Sequence, residues 1–173
     1  MANQETHRRL IVGPTVRLPY LRVANVQDGT LDLTSVKQVE VRPDEVDKWK
    51  LMKGDVLLTE GGDWDKLGRG AIWQGELDEC IHQNHIFRVR VSRDVIDPGF
   101  LLLQTSSPAG KAYFQSAAKQ TTNLASINQG QLRGFPVLLT PLSIQRQVIE
   151  RIDPGTGEAW SRHGDGQEGP MHI

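Results

Sequence analysis

A glycine-rich loop with two cations is the first segment of the sequence that could do chemistry. It reads EGGDWDKLGRG and covers residues 60–70. Gly61 and Gly62 would let a sugar–phosphate chain approach the backbone closely, because glycine carries no Cβ. Lys66 and Arg69 could then contact phosphate oxygens. The glycine spacing fits neither the mononucleotide nor the dinucleotide fingerprint. A flexible surface loop is the alternative interpretation.

Two histidines flank a pair of side-chain amides in the segment His82-Gln83-Asn84-His85. In a strand, residues three apart point to opposite faces, and no third ligand lies nearby in the sequence, which argues against a metal site. Side-chain amides can bridge the donor and acceptor of adenine in the major groove, and histidine can donate to phosphate or base. The alternative is that these polar groups hydrogen-bond one another and brace the loop.

A third polar segment, KQTTNLAS, covers residues 119–126. It combines one cation with several neutral donors and acceptors. Amides and hydroxyls discriminate between base edges where a plain charge cannot, so this mixture is typical of a segment that contacts bases and phosphates together. A helix cap and turn is the alternative interpretation, with Asn123 or Ser126 as the capping residue.

Catalytic patterns are sparse in this sequence. Glu60, Asp63 and Asp65 lie in one loop, but no Ser-His-acid order and no reactive-cysteine context accompanies them. With Lys66 they give only a compressed version of the acid pair and lysine of a metal-dependent nuclease. The single cysteine, Cys80, excludes an internal disulfide and any cysteine-based zinc site. We therefore predict no catalytic residue, no metal and no cofactor, with a small metal-dependent nuclease as the alternative.

Charge is distributed unevenly along the chain. The formal net charge is -1, but residues 153–173 hold four acids and one arginine, a local charge of -3, which leaves +2 on residues 1–152. Residues 98–149 contain no acid and four basic residues. Ordinary surfaces mix both signs. This stretch therefore indicates either a surface that does not repel phosphate or a buried subdomain that needs few charges.

The hydrophobic pattern predicts an α+β fold. Strand and hairpin patterns run from Tyr20 to Val41 around a turn at Asp28-Gly29. Further strands are predicted at residues 55–59, 71–73, 85–91 and 135–139, and helices at residues 43–51, 98–104, 108–119, 128–132 and 143–152. Ser107 and Asn128 are the expected helix N-caps. Because short helices alternate irregularly with strands, we expect a compact mixed fold rather than a wound parallel sheet.

The chain divides into four expected segments. Residues 1–18 are polar and typical of a flexible lead-in, and residues 19–142 form one domain. Residues 143–152 begin a helix, and the glycine-rich residues 153–173 are predicted to be disordered. The sequence has neither an apolar run long enough for a membrane span nor a secretory leader. We therefore expect a soluble, cytoplasmic protein with no membrane partner.

Four strings of the sequence, in this order, resemble one known family. They are YLRVANVQDG at residues 20–29, KGDVLLTEGGDWDKLGRGAIW at residues 53–73, CIHQNHIFRVR at residues 80–90, and SAAKQTTNLASINQGQLRGFPVLLTPLSIQRQVIERI at residues 116–152. The first three are similar to the target-recognition domain of the specificity subunits of type I restriction-modification enzymes. The fourth is similar to the end of that domain and its junction with a conserved spacer helix.

The resemblance implies a subunit that reads double-stranded DNA and leaves methylation and cleavage to partner modification and restriction subunits. A full specificity subunit of this family has two such domains, separated by two long helices, and each domain reads one half of a bipartite site. This sequence resembles one domain and a truncated spacer helix, so we expect a single-domain or truncated form, with a second half-subunit as a further partner. An interaction-only half-subunit, which engages the modification subunits without reading DNA, is another alternative.

The residues expected to contact DNA come from the three polar segments. They are Gly61, Gly62, Asp63, Lys66, Arg69, His82, Gln83, Asn84, His85, Lys119, Gln120, Thr121, Thr122, Asn123 and Ser126. Lys66, Arg69 and Lys119 are expected at phosphates. Gln83, Asn84, Gln120 and Asn123 are expected at base edges. This expectation requires the three segments to converge on one side of the domain.

Overall fold

The computed structural model describes residues 13–120 and 125–152, over which the chain forms three small sheets and five α-helices. The α+β class expected from the sequence is confirmed. The strands are β1 (Val16–Leu21), β2 (Lys37–Val41), β3 (Val56–Thr59), β4 (Gly61–Gly62), β5 (Gly70–Ile72), β6 (Ile81–His82), β7 (Ile86–Val89), β8 (Lys119–Gln120) and β9 (Ala125–Ser126). The helices are α1 (Pro43–Trp49), α2 (Pro98–Ser106), α3 (Pro108–Ala117), α4 (Gln129–Arg133) and α5 (Leu142–Ile152).

A sheet in the order β5-β3-β7 forms the centre of the fold. β3 pairs antiparallel with both neighbours, and all four of its residues are buried, as expected for a short apolar run inside a sheet. Successive residues of a strand point to opposite faces. Leu57 therefore lies in one core cluster and Leu58 in another, so the sheet separates two layers of apolar side chains.

The two layers are closed by different elements. On the Leu57 side, Leu21 of β1 and Cys80, which precedes β6, are buried in one cluster with Trp73. β1 pairs with β2 antiparallel and with β6 in parallel. On the Leu58 side, α2 and α5 cover the sheet, with α2 contributing Phe100 and Leu101. Side chains alternate between the two layers along β7, within the strand predicted at residues 85–91. The first residue of β7, Ile86, faces the Leu57 layer, while Phe87 and Val89 face the Leu58 layer.

Side-chain caps fix where the helices start. Ser107 accepts a hydrogen bond from the N–H of Gly110 (3.0 Å), and Asn128 accepts one from Gln131 (2.9 Å), so both predicted caps are confirmed. Asp97 caps α2 in the same way through Gly99 (2.8 Å). None of the helices within the described ranges has the length and apolarity needed to cross a membrane.

The last helix packs firmly on the body of the domain. Gln145 of α5 is fully buried, and its amide accepts from the N–H of Asp97 (2.8 Å) and donates to the carbonyls of Val95 (3.0 Å) and Thr140 (2.7 Å). Every polar atom of this side chain therefore has a partner, which is what burial of an amide requires. The predicted helix start at residue 143 is one residue late, because α5 begins at Leu142.

The predicted N-terminal boundaries are partly wrong. β1 begins at Val16, so the proposed lead-in overlaps the first strand by three residues. The strand pattern after Tyr20 also ends early, at Leu21, because Asn25 holds a 3-10 turn in place. The Asn25 side chain accepts from the N–H of Arg22 (2.8 Å) and donates to the carbonyl of Asp32 (2.8 Å). Residues 1–12 and 153–173 lie outside the described residues, so the expectations for them stay predictions.

The strand predicted at residues 135–139 is also wrong, since this segment has no regular secondary structure and joins no sheet. Leu138 donates its N–H to the side-chain amide of Gln104 (2.7 Å) and accepts from it at its carbonyl (3.1 Å). The prolines at 136 and 141 lack the N–H that a ladder needs. The side chain of Gln104 thus makes the hydrogen bonds to the Leu138 backbone that a neighbouring strand would otherwise make.

Candidate nucleic-acid interface

Glu60 lies where the three polar segments meet. Its N–H donates to the carbonyl of His85 (3.0 Å), and its carbonyl accepts from the N–H of Ile127 (2.8 Å). Glu60 begins the glycine-rich loop, His85 ends the amide segment, and Ile127 directly follows the run at residues 119–126. Backbone hydrogen bonds of one residue therefore bring together segments that are well separated in the sequence.

The third sheet, in the order β4-β9-β8, extends this junction outward. Ser126 of β9 lies between Gly61 and Lys119 in the antiparallel register. A Cβ at Gly61 would lie 2.8 Å from the carbonyl oxygen of Ala125, so glycine is needed for the strands to approach. The structure thus gives Gly61 a role in strand pairing, beside the predicted approach to a sugar–phosphate chain. We call the surface formed by residues 60–66, 83–85, 119–120 and 125–126 the convergent face.

A separate apolar cluster packs under the loop and the sheet that form the convergent face. Leu67, Phe114, Ala125 and Ile127 are buried there, and the Phe114 ring stacks on Phe135 with ring centroids 5.2 Å apart. Leu67 comes from the glycine-rich loop, whereas Ala125 and Ile127 come from the β9 segment. The cluster therefore fixes the loop and the sheet relative to each other.

Two of the loop's charged side chains form an ion pair on the convergent face. Lys66 Nζ pairs with Asp63 Oδ2, and both side chains are exposed. The hydrogen bond from Lys66 lowers the pKa of Asp63, so this carboxylate is ionised at neutral pH. A phosphate that contacts Lys66 has to compete with an anionic partner already in place.

A second polar pair joins the glycine-rich loop to the amide segment. Nδ1 of His85 lies 2.6 Å from Oε2 of Glu60, and the His85 side chain is exposed. With the proton on Nδ1, the imidazole donates to the carboxylate and leaves Nε2 directed elsewhere. Asn84 is exposed beside it. Asn84 and His85 are thus the members of the amide segment that reach solvent on the convergent face.

His82, the first residue of the amide segment, faces inward. The side chain of His82 is buried, and its ring meets the ring of Trp49 edge-on at 5.4 Å. Its Nδ1 lies 3.0 Å from the carbonyl oxygen of Gln83, and burial lowers the pKa of His82. Gln83 is half-buried, and its N–H donates to the carbonyl of Leu21 (2.9 Å). For His82, these contacts favour the alternative in which the residue braces the loop.

The Arg69 side chain contacts Gln27, although its charge also helps to lower the pKa of Asp63. Its Nη1 lies 3.3 Å from Oε1 of Gln27, and its side chain is half-buried. The Asp28-Gly29 turn is attached nearby, because the N–H of Gly29 donates to the carbonyl of Gly70 (2.9 Å). The predicted phosphate contact of Arg69 would therefore lie on the side of this turn, where Gln27 would be its neighbour.

Sequence reasoning missed three residues of this region. The sequence predicted Glu60 only as a candidate acid of a nuclease, and it gave no signal for Gln27. Trp64, whose side chain is 41% exposed, was not considered. The available signal was an aromatic residue inside a loop that is otherwise polar and glycine-rich.

Part of the third polar segment lies outside the described residues. Lys119 and Ser126 are exposed on β8 and β9, and the backbone of Gln120 continues β8. Thr121, Thr122 and Asn123 fall in the undescribed gap, so their contacts stay predictions. This segment is in part a pair of strands, because both of its ends belong to one sheet.

The acid-free stretch has a buried part and an exposed part. Within residues 98–149, α2 is largely buried against the central sheet, whereas β8 and β9 lie on the convergent face.

In the described ranges, no group of three or more His, Cys, Asp or Glu side chains is placed to hold a metal ion. Cys80 is buried, and burial raises the pKa of its thiol to about 11.

The chain has homologues among type I restriction enzymes, as the sequence resemblance implied. It is 29% identical over 133 residues to the MjaX specificity subunit of Methanocaldococcus jannaschii, and 24% identical over 137 residues to the EcoKI specificity subunit of Escherichia coli K12. It is also 24% identical over 134 residues to the StySPI specificity subunit of Salmonella potsdam. These matches cover 76%, 78% and 77% of this chain, but only 31%, 29% and 29% of the relatives' lengths. No protein-family model matches the chain.

A solved structure agrees with the expected fold. The chain superposes on the HsdS subunit from Thermoanaerobacter tengcongensis with a TM-score of 0.61 at 17% sequence identity. The match covers 82% of this chain and 36% of that one. The expectation of a fold like that of specificity subunits is therefore confirmed.

Proposed function

We propose that this chain recognises a sequence in double-stranded DNA as the target-recognition component of a type I restriction system. The observation that carries the proposal is the junction at Glu60, where three polar segments meet on one face. Phosphate contacts and base contacts must act together for a protein to read a sequence. The convergent face offers cations, amides and hydroxyls side by side, in a chain whose homologues are named specificity subunits.

In this proposal the cations hold the duplex and the neutral polar groups read it. Lys66, which follows the edge strand β4, and Lys119, on the other edge strand β8, contact phosphates of the same duplex. Arg69 adds a contact on the Gln27 side. Base edges are read by Asn84 and Ser126 together with the remaining predicted side chains, Gln83, Gln120, Thr121, Thr122 and Asn123. Amides and hydroxyls suit this task because the major groove presents a distinct set of donors and acceptors at each base pair.

The proposal assigns no catalytic step to this chain. One convergent face would read one half of a bipartite site, and partner modification and restriction subunits would methylate and cleave the DNA. A second half-subunit would supply the other half-site. The chain would thus contribute specificity, while the chemistry comes from its partners.

The nuclease alternative is not favoured by the site. A metal-dependent nuclease needs carboxylates directed at a shared ion. Here Asp63 pairs with Lys66, and Glu60 lies against His85. Incubating the protein with plasmid and Mg²⁺ separates the two functions, because a non-catalytic reader leaves the DNA uncut.

Selection from a random duplex library tests the proposal directly. Repeated rounds of binding and amplification should enrich a short common sequence, matching one half-site. Binding without any enriched sequence, or no binding at all, would refute sequence recognition. A pull-down with modification subunits tests the interaction-only alternative, which predicts capture of those subunits in the absence of selected DNA.

The salt dependence of binding tests the assigned phosphate contacts. Replacing Lys119 by Ala should weaken binding and reduce the slope of log K against log[salt] by about 1, as expected for one lost phosphate contact. Lys66→Ala should act in the same direction. Arg146→Ala is the matched control, since Arg146 is an exposed cation of the same acid-free stretch but lies on α5. Unchanged slopes for both lysine variants would show that the phosphates are bound elsewhere.

A further inference from the structure

Trp64 is a large aromatic side chain that the fold holds outward on the convergent face. It lies in the 3-10 turn Trp64–Lys66 and is 41% exposed, although the same loop also contributes to an apolar cluster. Three residues later, Leu67 is 2% exposed and fills the cluster around Phe114. The loop thus buries its leucine and leaves its larger tryptophan partly at the surface.

The backbone on both sides of Trp64 is fixed. Gly68 has a φ of +68°, and a Cβ at this position would overlap the ring of Phe114. The amide of Gln115 on α3 lies 3.5 Å from the carbonyl oxygen of Trp64. The indole therefore projects from an anchored turn, so little ordering is needed before it makes a contact.

One residue assigned to phosphate lies in the same turn as Trp64, and the helix that contacts its carbonyl leads into the strand that carries another. Lys66 lies in the same turn, and Gln115 lies four residues before Lys119. An apolar surface beside a phosphate contact would face the sugars and base edges of the same stretch of duplex. Indole is well suited to such a place because its ring packs on apolar surface while its N–H donates to an acceptor.

We propose that Trp64 packs against the deoxyribose and base edges of the bound duplex and anchors the domain on DNA independently of charge. This inference rests on the proposed function. Contacts of lysine with phosphate release counterions and weaken as salt rises. An apolar contact releases no counterion, so its contribution to affinity does not change with salt.

The test compares variants on the duplex selected from the library, with affinities measured across a range of salt concentrations. Trp64→Ala should weaken binding by about tenfold, the scale of one aromatic contact, and leave the salt slope unchanged. Trp64→Phe should recover most of the affinity. Leu138→Ala is the matched control, because Leu138 is 64% exposed on the segment held by Gln104. Thermal unfolding of each variant confirms that the fold is intact.

The outcomes separate this inference from the proposed function. If the wild-type chain binds the selected duplex and Trp64→Ala binds equally well, the anchor is refuted and sequence recognition stands. If Trp64→Ala lowers the salt slope, Trp64 acts by placing Lys66, and the apolar contact is refuted. If the wild-type chain selects no sequence, the proposed function itself fails.

Discussion

At the scale of single residues, the convergent face carries acids where an anion is proposed to bind. Asp63 pairs with Lys66, and Glu60 lies against His85. An acid beside a cation holds the cation in place, but its negative charge also weakens the attraction between the cation and a phosphate. The acids therefore favour binding that depends on base contacts over binding to any DNA.

Replacing Asp63 by Asn tests this balance. The change removes a charge that repels phosphate and releases Lys66 from this ion pair, so affinity for any duplex should rise about threefold at about 0.1 M salt. Fluorescence anisotropy with a selected and an unrelated duplex measures both affinities. Asp44→Asn is the control, because Asp44, on α1, is also exposed and is paired with Arg42 (2.5 Å). Equal affinities for Asp63→Asn and wild type would contradict the assigned role of Lys66.

His82 makes stability depend on pH. Burial lowers the pKa of His82, so the folded protein binds this proton more weakly than the unfolded chain does. The contribution to stability is complete above the ordinary histidine pKa of about 6.5 and is lost as the pH falls toward the lowered folded value. Urea unfolding should therefore give a smaller free energy at pH 5 than at pH 7. His82→Gln should flatten this dependence, and an equally steep profile would contradict the assignment.

Residue types were easier to predict than residue directions. The sequence pointed to amides and cations in three segments, and Lys119, Ser126, Asn84 and His85 are exposed on the convergent face. The inward position of His82 depends on Trp49, which lies thirty-three positions earlier in the chain. Pairing between distant residues of this kind leaves no periodic signal in the sequence.

At the scale of elements, local chemistry made most boundaries predictable. Caps such as Ser107 and Asn128 act within three residues, so the sequence alone reveals them. The segment at residues 135–139 has strand-like composition, but its backbone is satisfied by a glutamine side chain. β4 and β9 are two residues each, and they exist only because the chain brings them together. No local pattern of two residues specifies a strand.

The anchored turn below Trp64 gives a prediction at this scale. Gly68→Ala should destabilise the fold, since alanine at positive φ is strained and its Cβ would overlap the Phe114 ring. Gly29→Ala is the control: Gly29 has a φ of +79° but nothing within 4 Å of an added Cβ. Overpacking should make the Gly68 variant about 2 kcal/mol less stable than the Gly29 variant. If chemical denaturation shows the same loss of unfolding free energy for both variants, the Phe114 ring moves aside without cost and the predicted overpacking is wrong.

At the scale of the whole molecule, the account depends on three separate segments acting as one surface. The central sheet positions them, because Glu60 directly follows β3 and His85 directly precedes β7. The polar run reaches the same place from α3 through β8. The predicted DNA contacts required this gathering of loops, whereas composition and periodicity could not predict it, since neither reports which distant residues touch.

Hydrogen–deuterium exchange with and without the selected duplex is the most direct test of that surface. We predict slower exchange in residues 60–66, 83–85 and 119–126 together, with little change in α5. Protection limited to one of the three segments, or centred on α2 and α5, would contradict the convergent face as the DNA-binding surface.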